Sequence, residues 1–164
     1  MLPHTSTINY ELRTLKETQQ LAKAIARVIL PNFVIALNGD LGAGKTTLVR
    51  EILYVMGITG SIKSPTFTYV EPYRHNNIDI LHFDLYRFSD SEEWFELGFD
   101  DYFINDHICF IEWAQKAHGL IPPIDWEISM ATDGENHSCK ITAYTEKGQE
   151  CLKKLIAIDA NLSN

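Results

Sequence analysis

The residues best suited to chemistry lie in one run, Asn38-Gly39-Asp40-Leu41-Gly42-Ala43-Gly44-Lys45-Thr46-Thr47. It fits Gly-x-x-x-x-Gly-Lys-Thr, the spacing of a loop that wraps phosphates. Glycines at 39, 42 and 44 admit backbone angles closed to other residues, so successive N–H groups can turn inward on an anion. Lys45 is placed to reach β- and γ-phosphates, and the Thr46 hydroxyl to hold a magnesium ion. Glu112 closes the apolar run His107-Ile108-Cys109-Phe110-Ile111-Glu112-Trp113. A carboxylate ending a parallel strand beside a phosphate loop is where the second magnesium contact of a nucleotidase sits. Asp84 lies in His82-Phe83-Asp84-Leu85-Tyr86-Arg87, where another β-rich run ends and a solvated strand has no need of an acid. The plainer reading of both is an acid capping a strand end. Thr66 lies in Gly60-Ser61-Ile62-Lys63-Ser64-Pro65-Thr66-Phe67, a segment without periodicity. It reads equally as a switch-like loop sensing the γ-phosphate and as a turn stiffened by Pro65.

These residues need a scaffold. Phe33-Val34-Ile35-Ala36-Leu37 reads as a fully buried strand and Leu48 to Leu53 as the helix after the loop, closing near Gly57. The helix N-terminus adds roughly half a positive charge at the loop. Upstream, Thr5 to Tyr10 reads as an edge strand, and Thr14-Leu15-Lys16-Glu17 fits a capping box. The helix it opens carries Leu15, Leu21, Ala22, Ile25, Val28 and Ile29 as an apolar stripe and stops at Pro31. Downstream, Thr68 to Tyr73 and Ile78 to Tyr86 read as strands joined by a turn at Arg74-His75-Asn76-Asn77. Ser89-Asp90-Ser91-Glu92 caps a short helix carrying Trp94, Phe95 and Leu97, which ends at Gly98. After Pro122-Pro123 come strands from Trp126 to Ala131 and Cys139 to Tyr144, joined by residues 132–136. A final amphipathic helix runs from Gln149 to Ile158, with Glu150 supporting Lys154.

With 164 residues, the chain reads as a single domain over 1–164 with a real core. Fourteen basic against 22 acidic residues leave a net charge of −8, which argues against gripping nucleic-acid backbone unaided. No apolar run reaches membrane-spanning length and Met1 to Ser6 lacks a signal-peptide pattern, so a cytoplasmic protein is expected. Cys109, Cys139 and Cys151 form no close pair and read as reduced, buried filler. The six histidines show no metal-ligand spacing.

Asn38 to Thr47, then Lys63-Ser64-Pro65-Thr66-Phe67, His82-Phe83-Asp84-Leu85-Tyr86-Arg87 and Ile111-Glu112-Trp113-Ala114, closely resemble the TsaE (YjeE) family, with length and motif order matching from about Thr7 to Tyr144. The resemblance implies an α/β, P-loop NTPase-like three-layer sandwich with a mixed, mainly parallel central sheet and helices on both faces. It implies a bacterial magnesium-dependent ATPase needed to form threonylcarbamoyladenosine at position 37 of tRNAs reading codons that begin with A. In that family ATP hydrolysis supports the TsaB and TsaD complex, so tRNA is met only through the complex. Carried over by position, Gly39, Leu41, Gly42, Ala43, Gly44, Lys45, Thr46 and Thr47 bind ATP. Thr46 and Glu112 hold magnesium, and Asp84 orients the attacking water or a magnesium-bound water. Thr66 sits in the switch-like loop, Trp113 lies beside the nucleotide, and Thr14 is near the base. One departure is visible. Where such chains often carry an arginine before the last strand, this one has Asn136-His137-Ser138-Cys139-Lys140, leaving that role vacant or to His137 or Lys140.

Two other classes share a phosphate loop. A small-molecule kinase usually brings several arginines onto the transferred phosphate, whereas Arg13, Arg27, Arg50, Arg74 and Arg87 form no clustered lid. A GTP-dependent switch needs a guanine-reading Asn-Lys-x-Asp segment, and none occurs.

Overall fold

A computed structural model describes residues 5–162. Eleven regular elements follow in chain order: β1 (Ser6–Leu12), α1 (Leu15–Val28), β2 (Phe33–Asn38), α2 (Lys45–Val55), β3 (Val70–His75), β4 (Ile78–Asp84), α3 (Ser91–Glu96), β5 (Ile108–Glu112), β6 (Trp126–Asp133), β7 (Asn136–Ala143) and α4 (Glu146–Leu162). The strands form one sheet in the order β1-β7-β6-β2-β5-β4-β3. Its centre, β6-β2-β5-β4, is parallel, while β3 and the β7-β1 pair add antiparallel flanks. Buried runs without alternation are what a strand covered on both faces requires, and the first five residues of β2 and all of β5 are buried.

Alternation along β2 divides the core between two faces. Phe33, Ile35 and Leu37 pack with Leu21, Ile25, Leu48, Ile52, Leu152 and Leu155 from α1, α2 and α4. Val34 and Ala36 join Cys109, Ile111, Phe83, Trp94 and Phe99 on the other face. That second layer is covered by the single short helix α3 and by 3-10 turns at Phe99–Phe103 and Ala114–Ala117. Aromatic rings replace helix area there. Trp94 stacks on Phe83 at 6.1 Å and meets Phe99 edge-on at 5.2 Å.

Local details follow from residue chemistry. Asn76 and Asn77 take φ of 52° and 64° and form the two-residue turn between β3 and β4, a conformation asparagine tolerates. β3 starts at Val70, later than the expected Thr68, because Tyr69 takes φ 66° and donates its N–H back to Pro65 O at 2.8 Å. β3 is an outer strand, and Pro72 stands in its middle opposite Leu81. The β6–β7 link shrinks to Gly134-Glu135, since Asp133 already pairs with Asn136. Thr14 caps α1 by accepting the Glu17 N–H at 3.2 Å, while the Glu17 carboxylate accepts from Arg13 N at 2.6 Å.

Two expectations are corrected. Leu15, the first residue of α1, is 55% exposed, and Ala24 takes a place in the buried stripe. Glu150 faces Lys153 at 4.0 Å, one residue earlier on the helix than the expected Lys154. The three cysteines are buried and free, and burial pushes the Cys109 and Cys139 thiols up to about 12.

The buried Asp125 carboxylate ties β2 to the start of α4. It accepts from Val34 N at 2.9 Å and from Thr145 Oγ1 at 2.6 Å, with Lys147 Nζ at 3.6 Å. Asp125→Ala strands the buried Val34 N–H, and an unsatisfied buried donor costs about 1–3 kcal/mol before packing losses. The expected outcome is a destabilisation of about 2–3 kcal/mol, read as a lower urea midpoint with unchanged slope.

Candidate functional site

The parallel strands end together, and the site lies at their C-terminal edge. After Asn38 the chain turns through Gly39, Gly42 and Gly44 with φ of 149°, 85° and 102°. Ala43 N donates to Asp40 O at 3.0 Å and closes the loop. Gly44 occupies the N-cap of α2 and offers no side-chain oxygen to its first turn, so no side-chain cap takes up those N–H groups, as an anion site requires. Gly39 also permits a close approach, since a Cβ there would lie 2.4 Å from the backbone oxygen of Met130 in β6. Gly39→Ala should therefore push the loop off β6, weakening nucleotide binding by about tenfold or more in calorimetry while the fold persists.

Lys45 is 5% exposed. Its ammonium donates to Gly39 O and lies 4.3 Å above the Trp113 ring. Trp113 takes a left-handed φ of 61°, and its ring meets Tyr86 at 4.9 Å between centroids. Thr46, one residue into α2, donates its hydroxyl to Glu112 Oε1 at 3.1 Å and Oε2 at 3.2 Å. Glu112 is 2% exposed at the end of β5. The register sets Asp84 directly beside it on β4. Burial raises the Asp84 pKa, and the Glu112 carboxylate adds to the rise. The Tyr86 N–H donated to Oδ1 at 3.0 Å, His82 and the Lys45 ammonium oppose it.

Lys45, Thr46, Asp84, Glu112 and Trp113 thus converge. Thr14 lines a cavity of about 290 Å³ with Arg13, Gly42, Gly44, Thr47 and His137, beside the phosphate loop. Leu41 is 69% exposed at the loop's tip. Thr66 is half-buried and shares a 2.8 Å hydrogen bond with Ser64; its hydroxyl bonds to none of Lys45, Thr46, Asp84 or Glu112. Arg87 rests 4.7 Å over the exposed Phe67 ring. His137 Nδ1 meets Ala43 O at 3.0 Å, so of the two candidates for the missing arginine's place His137 reaches the loop, while Lys140 is exposed on β7.

His82 carries no role in the sequence reading, yet its Nε2 lies 2.6 Å from Glu112 Oε2 in the buried interior. The available signal was period two: His82 and Asp84 share one face of β4, with Phe83 turned to the other.

A parallel centre, a glycine-lined loop running into a helix and a threonine–acid pair at the strand ends define an α/β protein of the P-loop NTPase-like class. The fold superposes on the crystal structure of Bacillus subtilis YdiB with a TM-score of 0.81 and 26% identity, covering 96% of this chain and 99% of that one. The sequence model of the family "Threonylcarbamoyl adenosine biosynthesis protein TsaE" matches residues 12–141, and the chain belongs to the TsaE family. Among proteins named tRNA threonylcarbamoyladenosine biosynthesis protein TsaE, that of Rickettsia conorii is 41% identical over 86% of this chain and 82% of its own length. The Haemophilus influenzae protein is 43% identical over 73% and 75%, and that of Bacillus subtilis 34% over 91% and 93%.

Proposed function

We propose that this chain is the ATP-hydrolysing component of tRNA threonylcarbamoyladenosine formation, acting in the cytoplasm with TsaB and TsaD as one domain over residues 1–164. The observation that carries the reading is the convergence of Lys45, Thr46, Asp84 and Glu112 at the mouth of the phosphate loop. Family membership supplies the pathway.

The residues fit magnesium. Among the described residues no group of three or more His, Cys, Asp or Glu forms a metal cage. Magnesium bound through substrate phosphates needs only one or two protein oxygens, and the Thr46 hydroxyl and Glu112 carboxylate are hard donors of that kind. When bound, the ion supplies charge neutralisation on the phosphate oxygens.

The chain's own groups do the rest. The loop N–H groups and Lys45 bind and orient the phosphates. Asp84 accepts a hydrogen bond from the attacking water and aims it. Trp113 walls the site beside Lys45. Arg87 is held on Phe67 and Arg13 lines the cavity on the Thr14 side of the loop, so among the described residues no arginine bonds to Lys45, Thr46, Asp84 or Glu112, and a missing arginine contact costs a factor of about 10³ or more. Turnover by the isolated chain is therefore slow.

Reconstitution tests this. The chain is added to TsaB, TsaD, tRNA and threonylcarbamoyl-adenylate, and modified tRNA should accumulate beyond one turnover only with hydrolysable ATP. Equal accumulation with a non-hydrolysable analogue, or phosphate transferred to a small molecule in place of water, overturns the proposal.

A further inference from the structure

We infer that His82 is a positioning residue for the magnesium site, holding the Glu112 carboxylate in its binding orientation. The inference rests on the reading that Thr46 and Glu112 hold magnesium. His82 is 1% exposed, between Ile80 and Asp84 on one face of β4 and opposite Phe110 of β5. An apolar side chain would fill this buried position with no orphaned ring nitrogen, whereas the imidazole keeps an unpartnered Nδ1. The hydrogen bond the ring does make goes to Glu112.

The donor assignment follows from chemistry. An ionised carboxylate only accepts, so Nε2 carries the proton and donates it to Oε2. Thr46 spans both carboxylate oxygens from the opposite element, leaving Oε1 as the oxygen His82 does not engage. A glutamate gripped from β4 and α2 in this way cannot swing through its rotamers. This is the arrangement by which an outer partner orients a metal ligand, and losing such a partner typically costs about 10- to 100-fold in metal affinity.

The test uses full-length protein and a fluorescent mant-labelled ADP, titrated with magnesium chloride and, separately, bound in EDTA. His82→Leu should raise the magnesium half-saturation by about tenfold or more, while binding in EDTA stays within about twofold of wild type. His82→Gln, whose amide can donate from nearly the Nε2 position, should restore most of the magnesium response. If His82→Leu does not unfold cooperatively, His82→Asn replaces it, its amide being too short to reach Glu112. An unshifted magnesium titration, a glutamine variant as impaired as leucine, or an equal loss in EDTA overturns the inference. Wild-type binding indifferent to magnesium instead sinks the metal reading beneath it.

Discussion

Lys45→Ala should lose ATP binding by about 100-fold or more in calorimetry, because on the proposed reading it removes two charge-assisted contacts to phosphate worth about 1.5–3 kcal/mol each. The surroundings of this cation leave its charge available to a ligand. It is 5% exposed, and its partners are the Gly39 carbonyl and the face of Trp113. Among the described residues no carboxylate lies within ion-pair distance of it. A buried charge with so little compensation is a cost to the ligand-free fold. The companion Lys45→Met protein should therefore unfold at an equal or higher urea concentration than wild type while binding no ATP. Full ATP affinity in either variant removes Lys45 from the site.

Glu112→Gln should spare the nucleotide and lose the ion. The substitution preserves shape and removes one charge beside Thr46, so the magnesium concentration for half-maximal binding should rise about tenfold or more, at least about 1.4 kcal/mol. In EDTA the sign reverses. A carboxylate next to the phosphate loop repels the phosphates, and removing it leaves metal-free binding unchanged or tighter. Magnesium titrations monitored by fluorescence separate the two effects. A titration identical to wild type would show that Glu112 is only a strand-end acid.

Much of this site is written locally in the chain. The loop from Gly39 to Thr47 needs no partner to be recognised, because its glycines, its lysine and the flanking buried strand and helix are contiguous. Asn76 and Asn77 announce their turn by the same logic, and Thr14 with Glu17 its cap. What neighbours what in space is less legible. β1, near the start of the chain, pairs with β7 near its end, and β6 lies against β2 across the whole phosphate-loop segment. No local pattern encodes such pairings. Leu15 looked apolar enough to bury, yet its position in the first turn leaves it in solvent. His82 escaped because period two ties it to Asp84 on one face of β4 but does not say which strand lies alongside. Its meaning appears only when β4 and β5 align and bring Glu112 alongside. Thr66 keeps both of its readings, since its loop is irregular and its hydroxyl is engaged with Ser64.

Pro72 has a consequence for how the molecule behaves in a crowded solution. An outermost strand is an invitation to polymerise, since a passing chain can zip onto its unused amides and carbonyls. Proline in the middle of β3 has no amide hydrogen to offer, so the growing ladder would be broken at its midpoint. Changing Pro72 to valine would repair that gap and open the flank to self-association without touching Lys45, Thr46, Asp84 or Glu112.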